Sequence, residues 1–253
     1  IMIYSSAHFM DVPWHTIIKL YRENLKNRKF SLLSEYADDF FQFLKINIAL
    51  KSAYLKESYH VENNVANCFL DITRHIEQRI KNLTGAYGKI SLKQTRQEYK
   101  KIFSDFYSYL DGLQNLNISQ KISFQKFCSD YKNNLDRAFK LIEKFSYGRA
   151  FKAKYYDAAY KICTKKFDVL ADTGLVFVGF GEDEIFPQIE NYRVRGMFAN
   201  ELQYYRQEEE CSSISADRIS QVIGFAQKDI ISLFMDGVHP DIRNLFLGAL
   251  KIY

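Results

Sequence analysis

The chain reads as an α+β fold, in which an antiparallel sheet is layered with helices and interrupted by a large all-α insertion. Three observations carry that reading. Thr173 to Pro187 runs T-G-L-V-F-V-G-F-G-E-D-E-I-F-P. Its Leu175, Val176, Phe177, Val178 and Phe180 form a short apolar run between Gly174 and Gly181, the pattern of a strand buried on both faces. From about Ala49 to Ala171 the apolar residues recur only at helical spacing, without a repeat period. Strand-like segments flank that block. The core is therefore divided between residues 1–48 and 172–253, and residues 49–171 are a helical insertion whose ends lie close together.

Taken in order, Ile1-Met2-Ile3-Tyr4 is a strand, and Asp11-Val12-Pro13-Trp14 starts a helix, with Asp11 as cap and Pro13 in the first turn. Trp14, Ile17, Ile18, Tyr21 and Leu25 give that helix one apolar face. A second helix begins near Ser31 or Ser34 and buries Leu33, Tyr36, Ala37, Phe40, Phe41 and Leu44. A third carries Val65, Cys68, Phe69, Ile72, Ile76, Ile80 and Leu83 and breaks at Thr84–Gly88. Helix resumes from about Leu92 to Leu110, with a break around Gly112–Asn117. Phe124, Phe127, Tyr131, Leu135, Ala138 and Ile142 mark another helix, and Tyr155, Ala158, Ile162 and Cys163 one more after Gly148. After the Leu175–Phe180 strand come strands at Ile185–Val194 and about Met197–Tyr205, an antiparallel meander with turns at Gly181 and Arg195-Gly196. Ser215 caps a helix carrying Ile219, Val222, Ile223, Ala226, Ile230, Leu233 and Phe234, which stops at Gly237. Pro240 opens a last helix with Ile242, Leu245, Phe246 and Ala249 in phase.

Composition excludes several classes. Of 253 residues, 47% are hydrophobic and 26% charged, the balance of an ordinary globular protein. The net charge of +5 is mild and its lysines are spread along the chain, whereas nucleic acid binding shows a concentrated basic stripe. Lys19–Lys29 and Lys161–Lys166 alternate with apolar residues as solvated helix faces. No apolar run approaches the roughly 20 residues of a membrane span. Cys68, Cys128, Cys163 and Cys211 lack the spacing of a zinc site or a disulfide framework, which points to free thiols in a reducing cytosol. The opening at Ile1 inside a strand and the close at Tyr253 on an apolar helical face point to part of a longer protein.

Candidate chemistry is sparse. Gly179-Phe180-Gly181 is followed by Glu182, Asp183 and Glu184, which would repel phosphate, so the segment reads as a hairpin turn. Those carboxylates lack the spacing of a calcium loop and serve to keep the turn soluble. His8, His15, His60, His75 and His239 include no metal-ligating pair at helical spacing. Ser5-Ser6 is the best-placed hydroxyl pair, but no nucleophile-elbow motif accompanies it, and it reads as a polar strand exit. The aromatic stripes Tyr36/Phe40/Phe41 and Tyr155/Tyr156/Tyr160 are core packing, an exposed part of which would form a partner groove. No residue is assigned a catalytic, cofactor-binding or metal-ligating role, and no cofactor is implied.

Two segments carry a resemblance: Ile1-Met2-Ile3-Tyr4 through Asp11-Val12-Pro13-Trp14 to Ile18-Lys19-Leu20-Tyr21-Arg22, and Leu175 to Gly196 with Val178-Gly179-Phe180-Gly181-Glu182 at its centre. They resemble the proteasome-like N-terminal-nucleophile hydrolases, in particular a bacterial proteasome-related group, over about a third of the chain. The resemblance implies two antiparallel sheets between helical layers and a Thr, Ser or Cys nucleophile at the start of the first strand, with its own α-amino group as base. Ile1 has neither hydroxyl nor thiol, so no catalytic residue carries over and enzymatic activity is left open. The expected function is that of a hydrolase-related cytoplasmic protein whose nucleophile lies upstream or on another chain. The alternative is a non-catalytic helical scaffold. A protein partner or homo-oligomer is expected, and no membrane or nucleic acid.

Overall fold

The structure, a computed structural model, describes residues 1–49, 53–142, 148–167, 172–213, 223–225, 228–239, 241–243 and 245. It mixes helices with antiparallel sheet. The strands are β1 (Met2–Tyr4), β2 (His8–Phe9), β3 (Val12–Pro13), β4 (Thr173–Gly179), β5 (Gln188–Phe198), β6 (Glu201–Arg206) and β7 (Ser212–Ser213). The helices are α1 (Trp14–Leu25), α2 (Leu33–Phe43), α3 (Ala53–Tyr87), α4 (Leu92–Gly112), α5 (Phe124–Asp130), α6 (Lys132–Ile142), α7 (Gly148–Thr164) and α8 (Lys228–Asp236). A wider π-type turn, Leu44–Ala49, continues α2. No described helix is long and apolar enough to cross a membrane.

The main sheet has the order β1-β4-β5-β6, with β7 also on β5, and every pairing is antiparallel. Ile3 lies opposite Leu175 and Leu175 opposite Tyr192, so the first strand of the chain closes one edge of the sheet and β6 lies at the other. The described residues form one such sheet and a small β2–β3 ribbon.

Two apolar clusters hold the layers. In one, Trp14, Ile17 and Tyr21 of α1 and Phe40 and Phe41 of α2 cover Leu175, Phe177, Tyr192, Val194 and Met197 of the sheet. Ring contacts such as Phe40–Phe177 at 5.6 Å and Phe41–Tyr192 at 5.0 Å interlock them, each adding about 0.5–1.5 kcal/mol beyond area burial. The Trp14 indole N–H donates to Thr173 Oγ1 at 3.1 Å, so the one polar atom of that ring is paired where it is buried. The second cluster joins α3 to α7 around Phe69, Phe127, Leu135 and Tyr155, and β5 contributes Phe198 to it. Phe198 sits 5.5 Å from the Tyr131 ring and 5.8 Å from Phe127. Strand and helical block thus share a core.

Several boundaries differ from the sequence reading. Asp11 does not cap α1. It sits in the turn between β2 and β3 at φ +71°, and Pro13 is the N-cap residue. The third helix passes through Gly85 and stops only before Gly88, whose φ of +78° ends it. One helix expected over Phe124–Ile142 is two, parted at Tyr131. Thr173 to Phe177 are buried as expected of a two-faced strand, but Val178 is 50% exposed where β4 runs past β1 while still paired with β5. Ile185 is 88% exposed and belongs to a turn, so the next strand starts after Pro187. Ile223, Gly224 and Phe225 are not helical and α8 begins at Lys228. Ser215, Ile219, Val222, Pro240, Phe246 and Ala249 lie outside the described residues.

The largest correction concerns Arg195-Gly196. These residues are not a turn. β5 continues through them with a bulge between Val194 and Gly196, and the hairpin turns instead at Ala199-Asn200. Both turn residues have positive φ, +52° and +60°, the two-residue geometry that matches strand twist. Asn tolerates that conformation and Ala does not, so something must hold the turn in place. Glu57 of α3 does. Its Oε1 accepts from the Ala199 N–H at 2.9 Å and its Oε2 from the Asn200 N–H at 3.1 Å, while the Tyr131 hydroxyl also donates to it.

Candidate functional site

The hairpin clamp fixes β6 in space, and β6 borders a cleft of about 620 Å³. All six residues of β6 line it, from Glu201 to Arg206. Side chains of a strand alternate between faces, so a cavity touched by every residue in turn runs along the strand's edge rather than over one face. Two walls rise beside that edge. Leu202 packs on the α1–α2 cluster and the Tyr204 ring stacks on Phe41 at 4.0 Å, which makes α2 one wall. On the other side Gln203 donates to the Cys163 carbonyl at 2.7 Å. There the segment Gln114–Lys121 and Lys166 form the second wall, held to the end of α7 by the Leu116 N–H to Thr164 carbonyl bond at 2.8 Å and Lys166 N–H to Gln114 carbonyl at 2.8 Å.

The second wall is locked to the sheet by a buried ion pair. Arg195 Nε lies 3.3 Å from Asp172 Oδ2, and the same guanidinium donates to the carbonyls of Lys165 at 2.7 Å and Phe167 at 2.6 Å. Its charge also sits 5.3 Å from the Tyr205 ring. Burial raises the Asp172 carboxyl above the usual carboxylate range, and the Arg195 charge opposes that rise. The bulge at Arg195 is what turns this side chain toward α7. Gly196 beside it has φ +126°, and a Cβ there would lie 2.9 Å from His60 Nε2.

The cleft is electropositive. Lys45, Lys121, Lys166 and Arg206 line it against two carboxylates, Glu201 and Glu208. Lys45 and Lys121 converge on Glu201 at 2.7 and 3.0 Å, and chiefly the Lys45 contact holds that carboxyl below its usual range. Arg206 is shared between Glu190 and Glu208. Lys166 Nζ lies 5.2 Å from the Tyr205 ring.

The residues weighed from sequence do not assemble. Glu184 is a structural clamp: its Oε2 accepts from Gly181 N–H at 2.7 Å and Leu33 N–H at 2.9 Å, tying the acidic turn to the start of α2. Glu182 pairs with Lys29 at 3.0 Å. Ser6 Oγ donates to the His8 carbonyl. His15 and His75 are exposed on α1 and α3, His60 contacts Asn64, and His239 faces Asp241. Among the described residues no group of three or more His, Cys, Asp or Glu side chains converges on a common point. Cys68 and Cys163 are buried, and burial pushes both thiols up to about 12, the opposite of an activated nucleophile.

The cleft itself draws on Phe41 and Lys45, on Gln114–Lys121 and on Glu201–Arg206, segments far apart in the chain. The one local signal is the alternation E-L-Q-Y-Y-R, an edge strand with charges at both ends. No family model matches the chain, and neither a curated protein nor a solved structure matches it.

Proposed function

We propose that the chain is a non-catalytic interaction module that binds a polypeptide segment in the cleft along β6. The observation that carries this reading is the cleft's shape: a groove lined by six consecutive strand residues between two walls. A volume of 620 Å³ falls within the range of ligand sites, yet the lining is a linear strand edge rather than a closed bowl. The helical block matters here because it supplies one wall, and the clamps from Glu57 and Arg195 hold that wall and the strand as one unit. The test is an amide-resolved NMR titration with a library of short peptides of varied charge. Shifts confined to Asn115, Lys121 and Glu201–Arg206 support the reading. A library that moves none of these amides removes it.

The hydrolase-related function implied by the resemblance stands as a second proposal. What supports it is the antiparallel β1-β4-β5-β6 order with α1 and α2 layered on one face. Reading the gene upstream of Ile1 tests it. A strand opening with Thr, Ser or Cys supports the hydrolase, and its absence ends that reading.

A further inference from the structure

Resting on the polypeptide-binding reading, we infer that the occupant of the cleft is an acidic segment in extended conformation, which adds to the sheet as a further strand on β6. The argument starts from the hairpin. A two-residue turn makes Phe198 and Glu201 the hydrogen-bonded pair that flanks it. Backbone groups then alternate along β6: Glu201, Gln203 and Tyr205 face β5, while Leu202, Tyr204 and Arg206 turn their N–H and C=O outward. The next residue confirms the phase, since the Gln207 N–H donates inward to the Asn191 carbonyl at 2.8 Å. The bulge does not disturb this alternation, because its extra residue, Arg195, is on β5.

The outward N–H and C=O groups of Leu202 and Tyr204 meet no hydrogen-bond partner among the described residues. They point into the cleft, which is walled on both sides. A strand needs about 4.7–4.9 Å beyond its neighbour, and a peptide seated there would have α2 against one face and the Gln114–Lys121 segment against the other. Its main chain supplies affinity, and its alternate side chains meet the walls.

Charge selects the occupant. Four cationic side chains line the cleft against two carboxylates. Lys45 and Lys121 crowd one carboxylate at one end of β6, and Lys166 beside Tyr205 makes no ion pair with any described carboxylate. A basic peptide would meet these cations as like charge. An acidic one would draw Lys166 and share the two lysines held by Glu201.

The test uses the full chain and a fluorescent peptide about ten residues long, enough to span β6, with valine and glutamate alternating. Three partners accompany it: the same peptide with lysine for glutamate, and two forms N-methylated at either the odd or the even residues. An added strand uses one edge only. One methylated form is therefore expected to bind at least about tenfold more weakly and the other to bind as the parent does. The lysine peptide is expected to bind at least about tenfold more weakly than the glutamate peptide, with a salt dependence that Lys166→Glu reduces. Hydrogen exchange at the Tyr204 amide is expected to slow on binding. If both methylated forms bind as the parent does, strand addition is overturned. If acidic and basic peptides bind alike, the charge assignment is overturned, although cleft amide shifts would still uphold the polypeptide-binding reading. If no peptide shifts any cleft amide, both fall together.

Discussion

Arg195 and Asp172 meet as an ion pair with side chains only 1% and 3% exposed. The pair is not an isolated surface bridge of negligible value. It joins the bulge of β5 to the chain just before β4, and through the Lys165 and Phe167 carbonyls it fixes the end of α7. Removing one partner of a buried pair leaves the other charged and desolvated. Arg195→Met is expected to cost about 3–5 kcal/mol in urea unfolding, and adding Asp172→Leu to it should recover a large part of that loss. A double variant no more stable than Arg195→Met alone would show that Asp172 carries no uncompensated charge.

Glu57 holds an Ala-Asn turn that local preference does not favour. Glu57→Ala strands the Ala199 and Asn200 N–H groups and the Tyr131 hydroxyl, and is expected to destabilise by at least about 2 kcal/mol. Tyr131→Phe should cost less, and the two changes together less than their sum. Additive losses in chemical denaturation would mean that the groups act independently.

Gly196 is needed for two reasons: its positive φ and the imidazole against it. Gly196→Ala is expected to cost about 1–3 kcal/mol, measured as a drop in unfolding midpoint. Gly85→Ala, with open space around it, serves as the comparison and should stabilise slightly, by up to about 1 kcal/mol in a helix interior.

Burial lowers the His60 imidazole below its ordinary value of 6.5, against the Arg195 main-chain contact and the Asp11 and Glu57 charges that would raise it. The unfolded chain therefore binds the extra proton first as pH falls. Stability is full above the ordinary value, declines as pH drops through the window between that value and the lower folded one, and levels off beneath it. An NMR titration of the His60 ring should give a midpoint under 6.5. A midpoint above it would reverse the sign of the effect.

Glu201 neutralises part of the lysine charge in the cleft. Glu201→Gln is expected to tighten an acidic peptide by roughly two- to fivefold at low salt. The gain should vanish near 1 M salt, where the screening length is about 3 Å. Equal affinities at low salt would show that the carboxylate does not oppose the ligand.

Much of the architecture is legible in the residues. The helical spacing from Trp14 to Leu25, the apolar run Leu175–Phe177 and the antiparallel return all match the structure, because each depends on burial patterns within a few residues of one another. The turn at Ala199-Asn200 is not legible, since its stability resides in a carboxylate on α3. Arg195-Gly196 imitates a turn for a related reason: Gly permits a bulge as readily as it permits a reversal. The cleft is the least legible part. Its cations lie at positions 45, 121, 166 and 206, and only the tertiary fold brings them to one strand edge. Of the aromatic stripes Tyr36/Phe40/Phe41 and Tyr155/Tyr156/Tyr160, Phe41 lines the cleft, and the other rings there, Tyr192, Tyr204 and Tyr205, come from the sheet.

The pairing of Ile3 with Leu175 has a kinetic consequence. On a ribosome adding about 5–20 residues each second, the first strand is made long before its partner, and it must wait on the order of ten seconds or more with its backbone unpaired. The helices α3 to α7 can form from local contacts in that interval, whereas the sheet cannot close until β4 emerges. During synthesis the β1–β4 pairing therefore cannot form until the whole helical block between those strands has been made.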